Sequence, residues 1–373
     1  MSTVKQVYYR YLRRFKIFRS LAFLWKQVGR EEGRRAPAPT WRRSGTERLP
    51  LEKLTIAVVC DEMTWDTLQG VCGTVYLTPS NWYEILEANR PHIFFCEATW
   101  QGLKEYGYCW EGKVARDCGI WPDNRRVLKQ ILAYCRAAGI PTVFWNKEDP
   151  GSDRPLLRFS DTALLFDHIA TTAEEAVSGY LARGHGSVHV MPFGFSPQIF
   201  RPLEKQGRAE SAVFFGSWYG MFPQRCADME RLFDWVLSCG MELTIYDRNY
   251  GTDDTERQFP SRYRPFLRPA VAYRDIPREL EQYRYALNLN TETASQTMCA
   301  RRVFELMACG RLVISNESAA LRRMFPHSVW FAGEDFDLTR ADECIRKNQN
   351  YVLRHCTMQS RLSRLLEEIG LLK

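Results

Sequence analysis

Two patterns of hydrophobic and polar positions alternate along the chain from residue 54 onward. Short continuous apolar runs, such as residues 54–60 and 140–146, are typical of strands buried on both faces of a parallel sheet. Between such runs, apolar residues recur every three or four positions, as in residues 124–139, which predicts amphipathic helices. The repeated strand–helix order predicts an α/β fold with doubly wound sheets.

This alternation occurs twice. Residues 192–202, PFGFSPQIFRP, contain three prolines and interrupt it, and a second strand–helix series then runs over residues 211–316. We therefore predict two Rossmann-like domains facing each other across a cleft. The predicted divisions are a basic amphipathic helix and linker at 1–50, a first domain at 51–195, a second domain at 196–345, and a C-terminal helix at 346–373 that packs back toward the first domain.

Charge is distributed unevenly. The whole chain carries +7, but residues 1–49 alone carry +10, so the remaining residues carry −3. Aromatic residues lie among the basic ones over residues 5–30. This pattern fits contact with an anionic membrane surface, a helix docked on its own protein or a disordered arm. Nucleic-acid binding by the folded body is not indicated.

Cysteine and histidine usage limits the chemistry further. The twelve cysteines form no CxxC pair, and several lie in apolar segments, which is typical of reduced packing residues and favours a cytoplasmic protein. The six histidines show no zinc-type spacing. From these residues we expect neither a metal ion nor another cofactor.

Residues 287–316 predict a phosphate-binding unit. A buried strand leads through a polar turn into a helix that ends at Cys309-Gly310, and a second buried strand follows. A helix start at the carboxyl end of a strand attracts anions, and arginines suit phosphate oxygens. The alternative is an ordinary crossover helix with a solvated ion pair. Ser295 or Thr297 is the candidate helix cap, and Arg301 and Arg302 are the candidate phosphate partners. Glu305 is the candidate partner of ribose hydroxyls, and Met298 lies on the same helical face as Arg302 and Glu305.

Acidic residues follow the strands of the first domain. Glu97 ends an otherwise apolar run, where partial burial would raise its pKa toward the range of a general base. Asp61 is the second candidate for this role. For each carboxylate, a helix cap or a loop ion pair is the competing interpretation.

The first strand of the second domain ends in a glycine turn. Gly216 and Ser217 begin the sequence GSWYG, and Arg225 lies in the helix that follows. Glycine lets the backbone approach a phosphate, and the arginine can balance its charge. The trio Tyr246, Asp247 and Arg248 ends the next strand and can flank a nucleobase, or it is simply a turn. Neither GxGxxG nor a GKT/GKS loop is present, which disfavours dinucleotide oxidoreductases and NTPases.

Over residues 55–335 the sequence resembles the CgeB-like, spore-maturation type of bacterial glycosyltransferase, with a group-1-like C-terminal domain. The resemblance is carried mainly by SQTMCARRVFELMACG at 295–310 and is supported by IYDRNY at 245–250, FWNKEDP at 144–150 and DHIATTAEEA at 167–176. It implies a GT-B fold, a nucleotide-sugar held by the second domain and an acceptor approaching from the first. Glu305 matches the second glutamate of the family's Glu-x7-Glu signature, whereas Thr297 stands where the first would be.

The residues and the resemblance together predict a metal-independent GT-B glycosyltransferase. It would move a sugar from a nucleoside diphosphate to a hydroxyl of a cell-surface glycan, a teichoic-type polymer, a spore-coat component or a lipid-linked acceptor. We expect it in the cytoplasm or peripherally at the inner face of the membrane. The alternatives are a nucleotide-sugar epimerase or hydrolase of the same architecture, and a non-catalytic glycan-binding scaffold.

Overall fold

The computed structural model describes residues 38–45, 48–119, 123–151, 157–205, 207–335 and 337–372. The basic helix predicted over residues 5–30 lies outside the described residues. Among the residues that are described, no helix has the length and apolarity needed to cross a membrane. All twelve cysteines are described, and none of them forms a disulfide.

The first domain is built on a six-stranded parallel sheet of order β2-β1-β3-β5-β7-β8. Its central strands are buried on both faces, as their continuous apolar sequences require. The elements are β1 Thr55–Val59, α1 Glu62–Leu68, β2 Gly73–Tyr76, α2 Trp82–Asn89, β3 Ile93–Glu97, β4 Arg116–Asp117, α3 Arg126–Ala138, β5 Thr142–Asn146, β6 Leu157–Arg158, α4 Ser160–Ala163, β7 His168–Thr171, α5 Glu174–Ala182 and β8 Val188–Val190.

The second domain repeats the plan with a parallel sheet of order β11-β10-β9-β12-β13-β14. Two apolar clusters, one on each face, cover this sheet. The elements are β9 Arg208–Gly216, α6 Pro223–Ser238, β10 Glu242–Asp247, β11 Leu267–Pro269, α7 Ile276–Leu280, β12 Tyr283–Asn288, α8 Arg302–Ala308, β13 Leu312–Ser315, α9 Ala319–Met324, β14 Trp330–Phe331 and α10 Ala341–His355. A last helix, α11 Met358–Glu368, follows α10.

Each sheet contains a point at which the strand order reverses. In the first sheet β1 pairs with β2 on one side and β3 on the other, and in the second sheet β9 lies between β10 and β12. Ligands of open parallel sheets bind outside the carboxyl ends of the strands at such points. The ends of β1 and β3 in one domain and of β9, β10 and β12 in the other are therefore where a site is expected.

The chain crosses back to the first domain at its end. Met358, Leu362, Leu365 and Leu366 of α11 belong to the apolar core of the first domain. Where the linker meets this helix, Phe195 N–H donates to Cys356 O at 3.2 Å and Met358 N–H donates to Phe195 O at 2.8 Å. The C-terminal helix thus ties the end of the chain to the domain with which it began.

Candidate active site

The carboxyl ends of β1, β3 and β5 bring a lysine between the two predicted acids. Lys147 Nζ lies 3.1 Å from Asp61 Oδ2 and 3.0 Å from Glu97 Oε1. The backbone N–H of Asp61 also donates to Glu97 Oε1, at 2.5 Å. Sequence analysis missed Lys147, although it follows β5 at the same sheet edge at which Glu97 ends β3. A cation that follows a buried strand is therefore as informative a signal as an acid at that position.

Asp61 is saturated with hydrogen-bond donors. Its Oδ1 accepts the backbone N–H groups of Gln101 at 3.0 Å and Gly102 at 2.8 Å, and its Oδ2 accepts that of Trp100 at 3.0 Å in addition to Lys147. Burial opposes ionisation, but Lys147 and the three amides hold the pKa of Asp61 below its ordinary value. The carboxylate therefore fixes the loop that follows β3.

Glu97 is held differently. Its side chain is fully buried, and this burial raises its pKa, an effect that the Lys147 ammonium only partly offsets. Oε1 accepts two donors, whereas no group among the described residues forms a hydrogen bond of acceptable geometry with the buried Oε2. Of the two acids, only Glu97 keeps an oxygen with capacity for a further proton donor.

Arg301 reaches this cluster from the second domain. Its Nη2 donates to Thr64 Oγ1 of α1 at 3.1 Å, and its guanidinium lies over the ring of Phe193, 5.1 Å from the centroid. Arg301 is also close enough to Lys147 to disfavour the charged form of that lysine. The guanidinium is buried, and its Nη1 has no hydrogen-bond partner among the described residues. A second cation thus points into the junction of the two domains.

Arg302 and Glu305 form an ion pair within the first turn of α8. Arg302 Nη1 lies 2.9 Å from Glu305 Oε2, and the hydroxyl of Tyr273 donates to Glu305 Oε1 at 2.6 Å. Glu305 is fully buried. The structure therefore places the predicted ribose partner in contact with Arg302 and Tyr273 of its own domain.

The predicted capping of this helix is wrong. Helix α8 begins at Arg302, and Ser295 and Thr297 lie several residues upstream, in the polar turn. Ser295 Oγ instead accepts the backbone N–H groups of Thr297 at 3.3 Å and Met298 at 3.0 Å. A local Ser turn competes with helix formation here, so the chain enters the helix later than the pattern predicts. The turn itself faces the first domain.

Buried amides that sequence analysis did not single out hold the base of the same turn. Asn290 N–H donates to Asn316 Oδ1 at 2.8 Å, and Asn290 Oδ1 accepts the backbone N–H of Ala300 at 2.8 Å. Asn288 Nδ2 donates to Ser315 Oγ at 3.0 Å. Asparagines at the ends of two adjacent parallel strands were the available signal, because such ends meet at one edge.

The glycine turn after β9 carries a second group of cations. Arg225 Nη1 donates to Ser217 O at 3.0 Å, and its guanidinium lies over the ring of Tyr219, 5.1 Å from the centroid. Burial lowers the pKa of Arg225, and the positive charge of nearby Arg248 acts in the same direction. No carboxylate among the described residues pairs with either arginine. Ser217 is buried, and its Oγ has no hydrogen-bond partner in the described part of the chain.

A cavity of about 180 Å³ opens beside this turn, at the carboxyl end of β10. Burial raises the pKa of Asp247, which lines it, although the backbone N–H of Asn249 lowers that pKa. The buried Nδ2 of Asn249 has no partner among the described residues. Tyr246 points to the other face of the strand, where it stacks on Phe215 and donates to Glu279. The remaining lining residues are Tyr250, Gly251, Thr252, Gln258, Phe259, Arg264 and Leu267.

Most of the predicted residues thus fall into three groups. Asp61, Glu97 and Arg301 meet around Lys147, whereas Gly216, Ser217, Arg225 and Arg248 surround the glycine turn, next to the cavity lined by Asp247. Ser295 and Thr297 face the first domain. Within the described part of the chain, no three His, Cys, Asp or Glu side chains are grouped so as to hold a metal ion.

Comparisons with known proteins agree with this architecture. The structure is similar to that of Alr3699/HepE from Anabaena, solved in complex with UDP and glucose, with a TM-score of 0.51 and 11% identity over 85% of this chain and 99% of that one. It is also similar to a DNA-modifying β-glucosyltransferase, solved with and without uridine diphosphoglucose, with a TM-score of 0.52 and 10% identity over 85% and 100% of the two chains. The predicted α/β fold of GT-B type is confirmed.

The family comparison concerns the second domain. Residues 243–367 match the family model described as "Glycosyl transferase-like", which confirms the predicted glycosyltransferase class at this level. No curated protein matches the chain.

Proposed function

We propose that this protein transfers a glycosyl group from a nucleoside diphosphate sugar to an acceptor hydroxyl, without a metal ion. The observation that carries this proposal is the group formed by Ser217, Arg225 and Arg248. Two arginines with no carboxylate partner among the described residues, beside a buried hydroxyl with no partner, supply charge and hydrogen bonds suited to a diphosphate. They lie at the reversal point of the second sheet, where a ligand is expected.

The neighbouring cavity offers a place for the nucleobase. Its volume of about 180 Å³ suits one aromatic heterocycle, and Asp247 and Asn249 supply an acceptor and a donor for the edge of a base. We propose uracil as the base, because the fold is shared with enzymes solved with UDP or UDP-glucose. The proposed contact between Glu305 and the ribose comes from the CgeB-like resemblance.

In the proposed reaction, the bond between the anomeric carbon and the diphosphate breaks, and a bond from the acceptor oxygen to that carbon forms. Arg225 and Arg248 stabilise the negative charge of the departing diphosphate, and Arg301 adds to this from the domain junction. The acceptor proton passes to Glu97, because the oxygens of Asp61 already have their donors. Glu97 is buried against Thr64 and Lys147, so the proposal requires the domains to part at Arg301 for the acceptor to enter.

On the basis of the CgeB-like resemblance, we propose that the acceptor is a cell-surface glycan, a teichoic-type polymer, a spore-coat component or a lipid-linked sugar. We further propose that residues 5–30 hold the enzyme near an anionic membrane. Liposome co-sedimentation of the full chain and of a chain starting at residue 50 tests the membrane contact. Equal binding by both would contradict it.

Nucleotide binding tests the core of the proposal. Thermal shift measurements with UDP, GDP, ADP, CDP and dTDP should show stabilisation by at least one nucleotide, about 2.7 kcal/mol at a hundred times its Kd. The shift should persist in EDTA and vanish in Arg225→Ala, whereas Arg257→Ala, at a partly exposed arginine paired with Asp254, should keep it. A shift lost in EDTA would contradict metal independence, and turnover of the donor without any acceptor would favour a hydrolase or epimerase.

A further inference from the structure

The turn between β12 and α8 belongs to the second domain, but its tip is bonded to the first. Ser295 Oγ donates to Glu175 Oε2 at 2.9 Å, and the backbone N–H of Gln296 donates to Glu175 Oε1. Thr297 Oγ1 donates to Thr172 O at 2.9 Å and accepts the backbone N–H of Glu174 at 2.9 Å. Four hydrogen bonds thus join three consecutive residues to one short segment of the other domain.

These contacts complete a helix start that the first domain leaves open. Helix α5 begins at Glu174, and its N-cap residue is Ala173, which has no side chain able to accept a hydrogen bond. Helix starts normally take such an acceptor from a Ser, Thr, Asp or Asn at that position. Here Thr297 supplies the acceptor from the other domain. Ser295, Gln296, Thr297 and Glu175, with the backbone of 172–174, are called the clasp below.

Charged side chains also contribute to the contact at the clasp. The carboxylate of Glu174 pairs with Arg323 of α9, again across the two domains. Burial opposes ionisation of Glu175, but the Gln296 amide and the Ser295 hydroxyl hold its pKa below the ordinary value, with a smaller contribution from Arg323. The clasp is therefore a charge-assisted contact and not an incidental approach of two loops.

The turn carries the clasp at its tip and Arg301 at its end. Asn290 pins Ala300 from within the second domain, so only three residues, 298–300, separate Thr297 from Arg301. Arg301 in turn donates to Thr64 of the first domain. Formation of the clasp fixes the part of the chain from which the Arg301 guanidinium extends into the domain junction.

We propose that Glu175 and Thr297 are positioning residues, which act through the clasp to close the two domains and to set Arg301 in the junction. The resemblance places the first glutamate of the donor signature at position 297, and in this chain the hydroxyl of Thr297 serves the clasp instead. The expected effect of the clasp on nucleotide-sugar binding rests on the proposed function, whereas the closure of the two domains by the clasp does not.

The test compares Glu175→Gln and Thr297→Val, singly and together, with Ser178→Ala. Ser178 lies on the same helix, and its hydroxyl donates to Glu175 O within that helix rather than across the domains, so it serves as the matched control. Three quantities are measured on the full chain: the radius of gyration by small-angle X-ray scattering, amide hydrogen exchange over residues 172–176 and 295–301, and the affinity for UDP by titration calorimetry. Melting by circular dichroism shows that each variant is folded.

We expect both single variants to increase the radius of gyration and to speed exchange in the two segments, with UDP affinity falling roughly tenfold, a typical coupling between sites. The double variant should add little, because either change alone opens the clasp and the remaining bonds depend on its closure. Ser178→Ala should match the wild type.

An unchanged radius of gyration and unchanged exchange in the variants would overturn the clasp. Faster exchange with unchanged UDP affinity would overturn its action on Arg301, and a wild type that does not bind UDP would contradict the proposed function while leaving closure to be decided by scattering and exchange.

Discussion

Asp61 and Glu97 are neighbouring acids that share one lysine but differ in the state that their surroundings favour. Three backbone amides and Lys147 stabilise the ionised form of Asp61, whereas burial without an equal number of donors raises the pKa of Glu97. Pairs of groups whose pKa values are moved apart are typical of sites that transfer protons. The opposite directions of the two pKa shifts indicate that the carboxylate of Asp61 holds a loop, whereas that of Glu97 can accept a proton.

Glu97→Gln tests this division of roles. A base must be ionised, so kcat of the wild type should rise with pH through a pKa above 4.5, the ordinary value of a glutamate. In the variant, kcat should no longer rise with pH in this range and should be about 10²- to 10⁴-fold lower than in the wild type. The thermal shift caused by nucleotide should be unchanged. Asp61→Asn serves as the contrast, because it should lower stability by releasing the loop at 100–102. A Gln variant with wild-type kcat would remove Glu97 as the base.

At the scale of elements, the contact between the linker and α11 depends on a residue without a side chain. A Cβ atom at Gly194 would lie 2.7 Å from Met358 Cα and 2.8 Å from Met358 N. Both are backbone atoms, which cannot rotate away. The bridge between Phe195 and Thr357 can form only because the chain at 194 approaches the helix start this closely.

Gly194→Ala should therefore displace the start of α11 from its packed position and lower the free energy of unfolding by about 1–3 kcal/mol. Gly186→Ala is the matched control, since a Cβ there would meet no atom within 4 Å. Urea unfolding followed by tryptophan fluorescence measures both variants. Equal stability of Gly194→Ala and the wild type would show that the linker adjusts without disturbing the helix.

At the scale of the whole molecule, the last helix makes the first domain dependent on the end of the chain. Leu362, Leu365 and Leu366 are buried in the core of a domain whose strands lie more than 150 residues earlier. The chain therefore passes between the two domains twice, through the linker and again before α11. Removing apolar contacts in α11 should loosen the first domain rather than the second.

Leu365→Ala should destabilise the protein by about 2–5 kcal/mol, the usual cost of a cavity at a buried leucine. Leu338→Ala, at a side chain that is 57% exposed, should change stability by less than about 0.5 kcal/mol. Hydrogen exchange should show the loss of protection in β1, β3 and β5. Loss confined to β9–β14 would contradict the assignment of α11 to the first core.

Part of the architecture could be predicted because it depends on local patterns. The apolar runs that became β1, β3, β5, β9, β10, β12 and β13 are long enough to identify buried strands, and the periodic segments between them identify most helices. Strand β2 and helix α1 were not predicted, since Gly73–Tyr76 has few buried positions and α1 has only seven residues. Strand ends also located Asp61, Glu97, Ser217 and Asp247, because side chains there must lie at one edge of a sheet.

The sequence by itself determined the two α/β domains, the family of folds and the edge at which a ligand would bind, because these follow from hydrophobic periodicity and from the order of strands and helices. Only the tertiary structure decided which side chains meet. Lys147 joins two acids from other strands, Thr297 caps a helix of the other domain, and Glu305 is enclosed by Tyr273 and Arg302. Each of these contacts links residues that are distant in sequence or lie on differently packed faces, and their meeting depends on how the sheets and domains pack rather than on any local pattern.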